Sequence, residues 1–148
     1  MLDLDKVKDF KVLFVGDAIM DEYCYVKTIG KAVKENALSS ILGKREVFRG
    51  GVWAAAQHAL GFCDHVDVIT GREVMWNSRM VDDVYLRKLF VTHESRKNDK
   101  AVQDHDIRDY DLVVVTDFGH DSMTKEMIER VTREARFLAV NTQTNATN

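Results

Sequence analysis

An apolar run that stops at a glycine and an acid constrains this chain more than any other stretch: Val12-Leu-Phe-Val15, then Gly16-Asp17. Four apolar residues in a row, without alternation, read as a strand covered on both faces. Such strands belong to parallel sheets of the α/β kind. Gly16 and Asp17 then fall at the strand's carboxyl end, and Asp21 follows four residues on. Open α/β sheets bind their ligands at that edge. Lys11 to Tyr23 is therefore expected to form the centre of a sheet and one wall of a site.

Later segments repeat the pattern. Gly50-Gly51 opens Val52-Trp-Ala-Ala-Ala-Gln-His-Ala-Leu60, where Trp53, Ala56, Gln57 and Leu60 fall at helical spacing and Gly61 marks a stop. Two glycines before a helix let a ligand approach the backbone, where free N–H groups are available. His65 to Thr70 reads as a second strand, closed by Gly71. Asp111 to Asp117 is a third, again ending in an acid with Gly119 after it. Thr124 is an expected N-cap for a helix whose apolar face is Met127, Ile128, Val131 and Ala135. Arg136 to Asn141 is the last strand. Between Tyr23 and Phe48 the pattern loosens into a flap or edge strands. Met80 to Val91 leans towards strand, and the charged stretch Thr92 to Arg108 towards a solvated loop.

Alternating strands and helices predict an α/β fold with a mainly parallel sheet. A chain of 148 residues is one domain's worth, and no linker or repeat divides it. A net charge of −3 gives no general electrostatic case for nucleic acid or an anionic membrane. No apolar run approaches the roughly 20 residues of a membrane helix. Met1-Leu-Asp-Leu-Asp5 lacks the basic-then-apolar build of a signal peptide. Cys24 and Cys63 stand alone in sequence, so reduced, packed thiols and a cytoplasmic location are expected.

In their order, Gly16-Asp17 with Asp21 and Tyr23, Gly50-Gly51 before a helix, and Val113-Val-Val-Thr-Asp-Phe-Gly-His120 resemble the ribokinase-like (PfkB) carbohydrate kinases. Within that family the branch containing heptose-phosphate kinases is the nearest, and Asn141-Thr-Gln-Thr-Asn145 after a strand also resembles it. The resemblance covers most of the chain from Lys11 onward. It implies a three-layer, Rossmann-like fold of ribokinase type, truncated to its amino-terminal part, with a small β lid at about residues 22–49 of a single domain 1–148. It implies that Asp17 and Asp21 hold sugar hydroxyls, that Gly50 and Gly51 lie against the sugar, and that Arg79 reaches a substrate oxygen or phosphate. Asp117 and Asn141 are placed near the nucleotide phosphates. ATP and Mg2+ are the implied cofactors, a sugar or sugar phosphate the substrate, and a homodimer through the lid the assembly.

The departures bear on catalysis. Family members are longer and carry a glycine-rich stretch ending in an aspartate, which forms an anion hole and supplies the base. No Gly-x-Gly-Asp occurs here. Val52, Trp53 and Ala54 stand where an asparagine is usual, and residues 71–80 read as too short for the strands that relatives have there. Phosphoryl transfer to a hydroxyl needs a base, a phosphate cradle and a metal. The chain offers sugar ligands but no catalytic residue and no metal ligands, and its five histidines show no ligand spacing. Two readings stay open: the sugar-binding half of a kinase, and a non-catalytic sugar-phosphate-binding or assembly module. Each acid also has a purely structural alternative, as a strand end or cap.

Overall fold

The computed structural model describes residues 4–99, 105–120 and 122–143. Lys100, Asp104 and Asn145 lie outside that set. Among the described residues, six strands and two α-helices follow in order: β1 (Lys11–Lys31), β2 (Leu38–Gly51), α1 (Val52–Ala59), β3 (His65–Asp82), β4 (Lys88–Lys97), β5 (Leu112–Asp117), α2 (Lys125–Glu134) and β6 (Leu138–Thr142). They form one mixed sheet of order β4-β3-β1-β5-β6, with β2 also paired to β1.

β1 belongs to two different neighbourhoods. Its first part, Val12 to Gly16, pairs in parallel with β3 on one side and β5 on the other. β6 extends this parallel sheet beyond β5. The even residues Val12 and Phe14 pack with Val52, Ala56, Ala59 and Cys63 of the α1 segment. The odd residues Leu13 and Val15 pack with Ile69, Val113, Val115 and Val131 of α2. Successive side chains of a strand point to opposite faces, so a run without polar residues needs a helix on each side. The expected three layers of the α/β architecture follow from this.

Beyond Gly16 the strand does not stop, contrary to the sequence expectation. β1 continues for 21 residues in all, pairing antiparallel with β2 and in parallel with the second part of β3. A register shift between Gly16 and Ala18 marks the passage. Gly16 is required by closeness rather than by a strand end: a Cβ there would stand 2.0 Å from the carbonyl oxygen of Thr116. Gly71 likewise does not close β3. It makes room for Ser122, whose Oγ would be 2.6 Å from a Cβ at that position.

The stretch 71–80 is thus a strand of full length. β3 turns at Asp82, whose Oδ1 accepts from the amides of Val84 and Tyr85 at 3.0 and 2.8 Å, and returns as β4. This corrects the expected loop at Thr92 to Lys97. Every residue of β4 is exposed, so its charge content resembles that of a loop although its backbone is paired. The helix expected at the glycine pair is present, but its buried stripe is Val52, Ala56 and Ala59, and Leu60 is half-exposed. The small alanines bring α1 close to Val12 and Phe14. Thr124 caps α2 as expected, accepting from the amide of Met127 at 3.2 Å.

Candidate functional site

The residues singled out in the sequence separate into two groups along β1. Asp17 is fully buried at the carboxyl end of the parallel sheet. Its Oδ2 accepts from the amides of Phe118 (2.7 Å) and His120 (3.2 Å), and its Oδ1 from that of Ser122 (3.2 Å). Backbone N–H groups need partners when they leave solvent, and a carboxylate is an acceptor only. Asp17 therefore ties down the loop that leads from β5 to α2. Asp117, at the end of β5, accepts through Oδ1 from Gly119's amide at 2.9 Å, forming a local turn. Asn141, on β6, pairs in register with Thr116 of β5 and is exposed at the same edge. Near them Asn98 is buried and donates to Thr70 Oγ1 (2.9 Å) and to the Gly71 carbonyl (3.0 Å).

Asp21 lies elsewhere. Four residues along a strand are roughly 13 Å, so it sits out on the extension of β1, beside β2 and β3. Its register partners are Phe48 on β2 and Asn77 on β3. The Asp21 Oδ1 atom accepts from the Arg79 guanidinium, in an ion pair, and from Asn77 Nδ2 at 3.2 Å. The same guanidinium lies over the Tyr23 ring, 5.4 Å from its centroid. Tyr23 in turn meets Phe48 edge-on at 5.8 Å. On the next strand, His93 Nδ1 is 2.7 Å from Asn77 Oδ1.

The glycine pair closes one side of this group. A Cβ on Gly50 would stand 2.9 Å from Asp21 Oδ2. A Cβ on Gly51, whose φ is +58°, would stand 2.2 Å from the carbonyl oxygen of Asp17. The pair therefore packs against both acids of β1 at once, which side chains would prevent. The expected partners Asp21, Gly50 and Arg79 are brought together; Asp17, Asp117 and Asn141 form the second group at the sheet edge.

The opposite face of the outer sheet carries another carboxylate. Glu22 accepts from Ser78 Oγ (2.7 Å) and Trp76 Nε1 (3.4 Å), with Arg45 at 3.5 Å. The Ser78 hydrogen bond, with help from Trp76 and Arg45, holds its carboxyl below the usual glutamate range against the opposing effect of burial. Arg96 covers the Trp76 ring at 4.1 Å. Sequence reasoning passed over Asn77, His93 and Glu22. Met75-Trp-Asn-Ser-Arg79 carries no apolar–polar alternation that would have marked these residues, and their shared face follows only from the strand pairing.

Two other features stand apart. Tyr110 donates to Asp67 Oδ2 at 2.9 Å and lies 2.8 Å from His105 Nδ1, at the amino end of the parallel sheet. A groove of about 480 Å³ beside α1 is lined by Phe48, Arg49, Trp53, Gln57, His58 and Leu60, among others. Among the described residues, no cluster of three or more His, Cys, Asp or Glu side chains could hold a metal ion. No helix of the described residues is long and apolar enough to cross a membrane.

Compared with known proteins, the chain matches no family model and no curated sequence. Solved structures do resemble it. The ribokinase of Arabidopsis thaliana, solved with ribose and ATP, is 13% identical, covering 91% of this chain and 55% of its own, with a TM-score of 0.42. A nucleoside kinase of Methanocaldococcus jannaschii, an archaeal member of the ribokinase family, is 12% identical over 90% of this chain and 61% of its own, with a TM-score of 0.39. A carbohydrate kinase from Agrobacterium tumefaciens is 12% identical over 72% and 45%, with a TM-score of 0.37. The chain thus spans roughly half the length of these structures.

Proposed function

We propose that this chain is the sugar-binding part of an ATP-dependent carbohydrate kinase of the ribokinase-like (PfkB) family, nearest the heptose-phosphate kinases, and that it does not transfer phosphate by itself. One observation carries the reading. Asp21 has one carboxylate oxygen held by Arg79 and Asn77, while no donor among the described residues reaches the other, which lies over the bare backbone of Gly50. An oriented carboxylate with one open acceptor beside a glycine surface suits a sugar hydroxyl, and Tyr23 adds an aromatic wall.

In this reading Asp21, Gly50 and Gly51 touch the sugar, and Arg79 both orients Asp21 and faces a phosphate or ring oxygen. Asp17 acts beneath them by fixing the loop 118–122. Asp117 and Asn141, at the carboxyl edge, face the phosphates of ATP and its Mg2+. The outer hairpin of β1 and β2 covers the sugar. Its exposed Leu42 and Val47, with Phe90 of β4, offer an apolar surface for a homodimer. Two buried thiols without a disulfide suit the cytoplasm.

A second reading is a sugar-phosphate-binding or assembly module without transfer chemistry, since the described residues supply sugar ligands and no base for phosphoryl transfer. Calorimetry of the 148-residue chain, titrated separately with D-ribose, D-sedoheptulose 7-phosphate and Mg–ATP, tests both. Binding of a sugar or sugar phosphate without Mg–ATP binding is the expected result. No heat with any sugar, or ATP-dependent phosphorylation by this chain alone, overturns it.

A further inference from the structure

Three adjacent strands place Asp21, Asn77 and His93 in one register row, Asp21 opposite Asn77 and Asn77 opposite His93. Residues directly opposite each other share a face of the sheet. The row is joined by two hydrogen bonds, Asn77 Nδ2 to Asp21 Oδ1 and His93 Nδ1 to Asn77 Oδ1. Asn77 is only 8% exposed, so its amide has little access to water as a substitute partner.

The direction of this row follows from chemistry. A carboxylate only accepts, so the amide must turn its NH2 towards Asp21. A reversed amide would set a carbonyl oxygen against a carboxylate oxygen. With the NH2 on Asp21, the carbonyl of Asn77 faces β4. The imidazole nitrogen 2.7 Å away must then carry a hydrogen. His93 is thereby confined to its Nδ1–H form when neutral, with Nε2 left as an acceptor on the exposed β4.

We propose that His93 is a positioning residue of the site: its Nδ1–H fixes the Asn77 amide, which keeps Asp21 Oδ1 occupied and Oδ2 open above Gly50. Without that donor the nearly buried Asn77 carbonyl loses its partner, and the side chain keeps only one of its two anchors, the bond to Asp21. The grip on Asp21 Oδ1 then loosens and rests more on Arg79. What the row positions for rests on the sugar-binding reading above; the hydrogen on Nδ1 does not.

The test has two independent arms on the full 148-residue chain. Long-range 1H–15N spectra of uniformly labelled protein at pH 8 report which imidazole nitrogen is protonated. His93 is expected as the Nδ1–H form, reverting to mainly Nε2–H in Asn77→Ala. A His93 that is Nε2–H in the unaltered chain overturns the proposal whatever the chain binds. In the second arm, D-ribose and D-sedoheptulose 7-phosphate are titrated into His93→Leu and His93→Asn. An asparagine places an N–H near the position of Nδ1. Affinity is expected to fall roughly tenfold in His93→Leu, the scale of one polar contact, and to return in His93→Asn. Equal affinities in all three chains overturn the positioning role. If neither sugar binds the unaltered chain, the sugar reading fails, and the NMR arm still decides whether His93 orders Asn77.

Discussion

Gly50 lies so close to Asp21 that a Cβ on it would stand 2.9 Å from the open carboxylate oxygen. Gly50→Ala must therefore push the Asp21 side chain, which can move, whereas Gly51→Ala must push the Asp17 carbonyl, which cannot. The two substitutions are expected to differ in kind. Gly50→Ala should retain near-normal stability and lose about tenfold or more in sugar affinity. Gly51→Ala also carries a left-handed backbone and should lose about 2 kcal/mol or more of stability. Thermal melts paired with calorimetry separate the two effects, and equal loss of stability in both would contradict this account.

Asp17 holds three backbone amides of the loop 118–122. Asp17→Asn replaces one acceptor oxygen by a donor that faces N–H groups. A loss of roughly 2–4 kcal/mol is expected, the cost of buried amide donors left unpaired against an NH2 group. Hydrogen exchange at Phe118, His120 and Ser122 should accelerate more than in α1. Unchanged protection of those three amides would refute the assignment.

Glu22 gives the outer sheet a signed dependence on pH. Its carboxyl is held below the usual value chiefly by the Ser78 hydrogen bond, so the native state favours the ionised form. A depressed carboxylate stabilises the fold above its unfolded value, near 4.5, and that contribution is lost as pH falls through the lower, folded value. Glu22→Gln should remove this part of the acid sensitivity and cost about 1 kcal/mol at neutral pH. Urea titrations between pH 7 and pH 3 measure it. An identical slope of stability with pH in both proteins would count against it.

Cys24 and Cys63 are buried, and burial raises both thiols above the usual cysteine value. The thiolate is the reactive form. Both cysteines are expected to resist iodoacetamide in the native chain at pH 7.5 and to react fully in urea. Rapid native labelling of Cys24 would mean that the β1–β3 contact opens readily.

The inner sheet was legible because its strands carry continuous apolar runs, and Val12 to Val15 and Leu112 to Val115 can only lie between two layers. The outer sheet was hidden by its solvent exposure. β4 has no buried residue, so Phe90-Val-Thr-His-Glu-Ser-Arg-Lys97 shows neither a core run nor a clean alternation. Glycine misled twice: Gly16 and Gly71 look like strand ends, yet both mark close approaches within continuing strands. The resemblance singled out Asp21, Gly50 and Arg79 from sequence. The pairing of Asp21 with Asn77, and of Asn77 with His93, depends on a register that no local pattern specifies.

Because a single strand carries Asp17, which anchors the loop 118–122, and Asp21 in the outer sheet, its length between them is fixed. Adding or deleting one residue there would turn Asp21 to the opposite face, away from Asn77 and Arg79, while Asp17 stayed in place. Descendants of this sequence should therefore vary in length at the hairpin tip, near residues 32–37, where the backbone leaves the ladder, and keep the interval from Gly16 to Tyr23 constant. Length polymorphism is thus predicted to be partitioned along one strand, forbidden in its middle and free at its end.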